Sequence, residues 1–181
     1  MPIRPTALFR LFPRDERGAA AIEFAAAAML LVVGVLNGID VGYYEYRRME
    51  VENAAQVGAQ VAWKTCYDSS SMLPATTNCG GLTDVIKSAI QTTSLGANVS
   101  LVSGYPEEGY YCIDVTGMLK SVGSLTSRPT DCSAVGDATT TPGDYLQVAV
   151  TYPYAPLFPG LSVMGAWGIT SITGTSWVRL G

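Results

Sequence analysis

Residues 19–39 read AAAIEFAAAAMLLVVGVLNGI, and among these 21 residues Glu23 is the single charge. At about 1.5 Å of rise per residue, such a run forms a helix of ~31 Å, which matches a hydrocarbon core of ~30 Å. The stretch therefore predicts a membrane-spanning helix. Two other readings compete with it. A secretory signal peptide has a shorter apolar region and a small-x-small cleavage site, and the GIDVGYYEYRR that follows offers no good A-x-A site. A buried core helix does not need 21 nearly uncharged residues. The retained span is the favoured reading, and it leaves Glu23 to be explained. At the centre of a span a charged side chain costs ~2.5–3.5 kcal/mol on insertion scales, and less near an end. Glu23 is then either a tolerated boundary residue or a carboxylate whose partner arrives from elsewhere and offsets its desolvation.

The charge around the span is uneven. Residues 1–18 carry Arg4, Arg10, Arg14 and Arg17 against Asp15 and Glu16, a net of +2, whereas the whole chain is −4, so residues 19–181 carry −6. Cationic residues before the span place the N-terminus in the cytoplasm, and the acidic bulk of the chain beyond it. A length of 181 residues suits one ordinary domain plus an anchor. Only 14% of residues are charged, against a typical ~25%. No basic run exists, so nucleic acid is not an expected partner. The chain contains no histidine, which removes the commonest general base and the commonest metal ligand.

The junction of leader and span carries a resemblance. Arg17-Gly18, four small or apolar residues from Ala19 to Ile22, then Glu23 and Phe24 resemble the prepilin-peptidase site of type IV pilins. Within that group RGAAAIEFA is most similar to the TadE-like minor pilins (pseudopilins) of the Tad/Flp tight-adherence pilus. The resemblance implies a cytoplasmic leader, residues 1–18, cut by a membrane prepilin peptidase between Gly18 and Ala19. It implies an assembly helix over 19–40 and an extracytoplasmic head over 41–181. Glu23 becomes the fifth residue of the mature chain, and in pilins that carboxylate pairs with the N-terminal ammonium of a neighbouring subunit. The first mature residue is Ala where the best-known pilins have Phe. The aromatic after the glutamate is Phe24, where the major Flp pilins favour Tyr. The implied partners are the peptidase, other Tad/Flp subunits and minor pilins, and a bacterial inner membrane crossed once, with the head in the periplasm or outside.

Beyond the span, IDVGYYEYRRMEVENAAQVGAQVAWK contains no proline. Val51, Ala54, Ala55, Gly58, Val61 and Ala62 follow the spacing of one helical face. The expectation is one helix from about Ala19 to about Lys64, half in the membrane and half packed on the head. Asp40, Tyr43, Tyr44, Tyr46, Arg47 and Arg48 straddle the outer boundary, where an interfacial aromatic belt supplies tyrosines.

Cys66, Cys79, Cys112 and Cys132 all lie beyond the span. An even count in an oxidising compartment favours two disulfides, with three connectivities open; sequential pairing is one of them. A zinc site is disfavoured, since no CxxC pair or histidine is present. Between Cys66 and Cys79, YDSSSMLPATTN reads as a polar loop. LTDVIKSAIQTTSL places Leu82, Val85, Ile86, Ala89 and Ile90 on one face of a short helix. Strands are expected in ANVSLVS, YYCIDVTGM, YLQVAVTYPY and GITSITGTSWVRL. In the third, Leu146, Val148, Val150 and Tyr152 alternate with Gln147, Ala149 and Thr151. YPYAPLFPG, residues 152–160, has three prolines and reads as a rigid connection. This order predicts an α+β fold: a long N-terminal helix against an antiparallel sheet.

Little here suggests catalysis. Glu107 and Glu108 are adjacent, point to different sides of any extended segment, and sit in GYPEEGYY, which reads as a turn. The serines lack a histidine base and a G-x-S-x-G elbow. Asn98-Val99-Ser100 fits a glycosylation sequon that carries little weight in a bacterial protein. No cofactor, metal site or enzyme activity is expected. The two function classes left are a pilus assembly protein and an uncleaved single-pass protein with an extracytoplasmic binding or sensory domain.

Overall fold

The computed structural model describes residues 16–66 and 73–181. Residues 1–15 of the expected leader and residues 67–72 of the polar loop lie outside the described residues. The first element, α1, is a single helix Glu16–Cys66 of 51 residues, about 75 Å long. Its first part is apolar on every side, and Ile22, Phe24, Leu30 and Val35 stand open. The most apolar 18-residue window has a mean hydropathy of 2.3, and none of it is buried. By length and composition this part of α1 is a candidate membrane span.

From Val51 the same helix becomes the backbone of the head. Val51, Ala54, Ala55, Gly58, Ala59, Ala62 and Cys66 are buried, the small-residue face expected from the spacing, with Val61 turned to its margin. After Cys66 come α2 (Ala75–Asn78) and α3 (Leu82–Gln91). α3 buries Leu82, Ile86, Ala89 and Ile90. The strands are β1 (Ser100–Leu101), β2 (Glu107–Ile113), β3 (Leu119–Ser121), β4 (Gly143–Pro153) and β5 (Ser171–Arg179), with a one-turn helix α4 (Val163–Ala166) between the last two. All the pairings are antiparallel. β4 is the hub: β5 runs along it from Tyr145↔Arg179 to Pro153↔Ser171. β2 pairs with its first half, from Gly143 to Gln147, and β1 with Val150 and Thr151. β3 closes the sheet against β2.

The core lies where α1 and α3 cover this sheet. Leu146, Val148 and Val150 project inward from β4 and meet Ile86, Ile90 and the α1 alanines. Their alternation along the strand is the period-2 signal that the sequence carries. Close approach depends on two glycines. A Cβ at Gly58 of α1 would stand 3.0 Å from Ile90 and 3.2 Å from Val148. On the other side of the contact, a Cβ at Gly174 of β5 would stand 3.0 Å from the α1 backbone at Val51 and Glu52. Backbone cannot rotate away as a side chain can. Gly174→Val should therefore lose about 2–3 kcal/mol of stability, read as a lower denaturation midpoint in detergent. An unchanged midpoint would mean that β5 does not sit on α1 in this way.

A second, smaller core forms outside the main one, from Tyr110, Cys112, Val122 and Cys132. The bonds are Cys66–Cys79 and Cys112–Cys132. The first ties the end of α1 to the end of α2, and the second ties β2 to the long polar loop before β4.

Several details differ from the sequence reading. ANVSLVS is strand only over Ser100–Leu101, after a single helical turn at Gly96–Asn98. Val85 stands exposed beside the buried face of α3, and Tyr152 and Pro153 end β4 and are not part of the connection. GYPEEGYY is not wholly a turn: the turn ends at Pro106, and Glu107 already pairs with Gln147. Gly104 and Pro106 are turn residues whose signal spreads over neighbours that the sheet then recruits. YYCIDVTGM is not one strand either. It breaks at Asp114, whose carboxylate accepts the amides of Thr116 and Met118, and the chain turns back as β3. Finally, Ala75–Asn78 is a helical turn inside what reads as loop.

Candidate functional site

The residues expected at the processing site lie in the first turns of α1. Gly18 and Ala19 are helical in backbone and exposed, and nothing packs against Gly18. Glu23 and Phe24 are exposed one turn further on. Among the described residues Glu23 forms no ion pair. Ala19 and Glu23 are four positions apart and so share one face of the helix.

The head's grip on α1 begins further toward the N-terminus than expected. The Asn37 side chain donates to the carbonyl of Leu161 at 3.0 Å and accepts from the amide of Val163 at 2.8 Å. One turn on, Asp40 is 1% exposed; its carboxylate accepts from the Leu157 amide at 2.7 Å and from the Ser162 hydroxyl. Ser162 in turn caps α4 by accepting from the Gly165 amide. Next to this, Tyr154 is buried between Tyr43 and Tyr44, with the Tyr44 ring edge-on at 5.3 Å. Arg47 then lies over the Tyr43 ring and pairs with Glu50 at 2.7 Å, while Glu50 accepts from Ser94 at 2.6 Å.

A collar thus joins the end of the apolar run to the head through charged and aromatic contacts. Tyr43 and Tyr44 belong to this packing and not to a belt facing lipid; Tyr46 stays exposed. Asp40 gave a sequence signal only as a charge at the span's edge, because its partners lie more than 100 residues away. Asp40→Ala should leave the Leu157 amide and Ser162 without their acceptor and cost about 2 kcal/mol. Faster proteolytic cutting between 157 and 163 would show it, and an unchanged digest would contradict the collar.

The two adjacent glutamates separate. Glu107 is exposed, whereas Glu108 turns inward and is 8% exposed. Its carboxylate accepts the amides of Ala75 at 2.6 Å and Thr76 at 2.7 Å, and the Thr76 hydroxyl. It thereby caps α2, placing a negative charge at a helix N-terminus. On the neighbouring strand, Asp144 is 1% exposed and neither of its carboxylate oxygens has a donor among the described residues. Burial, and then the nearby charge of Glu108, push its pKa up to about 7, with Arg128 opposing. The sequence carried a signal for Asp144 that went unread: it is in phase with Leu146, Val148 and Val150.

This acidic pair is buried, and the oxygens of Glu108 are already engaged by α2, so what holds structure here is the Glu108 cap. Among the described residues no group of three or more His, Cys, Asp or Glu side chains is arranged to hold a metal.

Against known proteins, the family model described as TadE-like protein matches residues 18–60. The matched segment begins at Gly18, runs through the apolar stretch and ends inside the buried face of α1. No curated protein and no solved structure matches the chain.

Proposed function

We propose, on the premise that residues 18–60 are TadE-like, that this chain is a minor pilin acting in assembly of a Tad/Flp-type tight-adherence pilus. It is a structural subunit and not an enzyme. A prepilin peptidase removes residues 1–18, cutting between Gly18 and Ala19. The mature protein crosses the bacterial inner membrane once, with its disulfide-bonded head in the periplasm or outside. Other pilus subunits and minor pilins are its partners.

The observation that carries this reading is the match beginning at Gly18, with Glu23 five residues beyond. Physical chemistry supports it. The cut creates an ammonium at Ala19, at the positive end of the α1 dipole, where a cation is disfavoured. A carboxylate in a low-dielectric surrounding is likewise costly alone. Pairing the Ala19 ammonium of one subunit with Glu23 of the next offsets both. Phe24, 75% exposed beside Glu23, supplies apolar contact at the same junction.

Gly18→Val tests the reading, because a branched side chain at the cut should obstruct the peptidase. When co-expressed with a prepilin peptidase, the wild-type chain should shorten by its 18-residue leader and the variant should keep it. Equal lengths for the two would count against processing at Gly18.

A further inference from the structure

Between Asp144 and Arg179 the chain has no charged residue. Much of that run is β4 and β5, held in the sheet. The connection between them is where apolar side chains face outward. Leu157 is 46% exposed, Leu161 54%, Val163 39% and Trp167 71%.

The height of this connection along α1 is fixed by its bonds to Asn37 and Asp40. Asn37 lies two residues inside the end of the apolar run at Ile39, or about 3 Å. Leu161 and Val163 are therefore level with the outer end of the span. That level is the interfacial zone of a bilayer, where tryptophan is enriched and where apolar side chains dip among the headgroups.

We propose that residues 157–167 form a second membrane contact, seated in the outer interfacial layer beside the span, with lipid as the partner. The inference rests on the reading of residues 19–39 as membrane-spanning. A lone helix is free to rotate about its axis, and its depth is held only by its ends. A loop bonded to one side of α1 fixes both, so the head faces one way before subunits meet. The uncharged composition suits lipid, and the hydrogen bonds to Asn37 and Asp40 keep the loop's backbone satisfied where water is scarce.

The test uses the full chain in phosphatidylcholine vesicles. Trp63→Phe with Trp177→Phe leaves Trp167 as the sole tryptophan. A companion has all three replaced by Phe and carries Phe24→Trp to report on the span. Intact disulfides, read by mass after thiol alkylation, verify the head in both. With lipid brominated high on the acyl chain, both probes should lose most of their emission, and acrylamide in the water should reach Trp167 weakly. If the Phe24→Trp probe is quenched by bromolipid while Trp167 responds to acrylamide alone, the loop faces water: the inference is overturned and the span stands. Shielding of Trp167 from both quenchers would mean that protein, such as a second copy, covers it, which also overturns the inference. An unquenched Phe24→Trp probe would remove the span itself and the inference with it.

Discussion

Glu23→Gln is expected to abolish piliation while leaving the cut between Gly18 and Ala19 intact. Glutamine keeps the size and most of the hydrogen-bonding capacity of glutamate, so the substitution isolates the charge. Under the assembly proposal, that charge serves to receive the new ammonium of an adjoining subunit. Glu23 has no ion-pair partner among the described residues, and an unpaired charge inside a span is costly, though less so near its end than the ~2.5–3.5 kcal/mol it costs at the centre. Removing it makes the isolated subunit more comfortable in lipid and removes the reason to leave. The variant should therefore accumulate in membranes as mature protein, with sheared surface fractions empty of pili. Glu23→Asp keeps the charge on a shorter arm and should retain part of the pili. Normal pili in the Glu23→Gln strain would reduce Glu23 to a tolerated boundary residue.

Asp144→Asn should stabilise the head at pH 8 and do so by less than half as much at pH 5. In the folded protein the Asp144 carboxyl is pushed up to about 7 by burial and by Glu108, against an unfolded value near 3.9. Between those two values the folded state holds a proton that the unfolded state has released, so stability falls as pH rises through this window. Above pH 7 the folded state must carry a buried carboxylate beside a second one, a cost of about 3–4 kcal/mol by linkage. Below pH 4 the group is protonated in both states and contributes nothing. Asparagine mimics the protonated acid in shape, and its amide can donate toward Glu108, so it removes the full cost at pH 8 and only the part already incurred at pH 5. Denaturation midpoints of the full chain in detergent at the two pH values give the comparison. Wild type and variant with the same pH dependence would show that Asp144 ionises freely in the folded state.

How much of this was legible in the sequence varies with the range of the forces involved. The long helix and the apolar span follow from composition along one stretch, and composition is local. β4 was legible for the same reason: Leu146, Val148 and Val150 alternate with Tyr145, Gln147 and Thr151, which are half-buried, although Ala149 on that other face is buried too. The α1 face of Val51, Ala54, Ala55, Gly58 and Ala62 was visible as a spacing, although the spacing alone does not show that Gly174 comes to rest against it. What escaped depends on partners distant along the chain. Glu108 reads as half of a charged turn until the amides of Ala75 and Thr76 are seen to need an acceptor. Asp40 reads as the polar edge of a span until Leu157 and Ser162 arrive across more than 100 residues of chain. α4 is too short for periodicity to reveal, and only its Ser162 cap hints at it. The likeness over residues 18–60 was legible because its first part, Gly18 through Phe24, is a compact order of residues placed at the mouth of the apolar run.

The central claim is that Ala19 is a terminus, and the N-terminal residue of the protein taken from native membranes tests it most directly. Intact-mass measurement with N-terminal sequencing should find a chain beginning at Ala19 and lacking residues 1–18. It should find the full leader when the prepilin peptidase is deleted. A chain that begins at Met1 or Pro2 in cells with an active peptidase would contradict the account and leave Glu23 as a charge in the membrane without a partner.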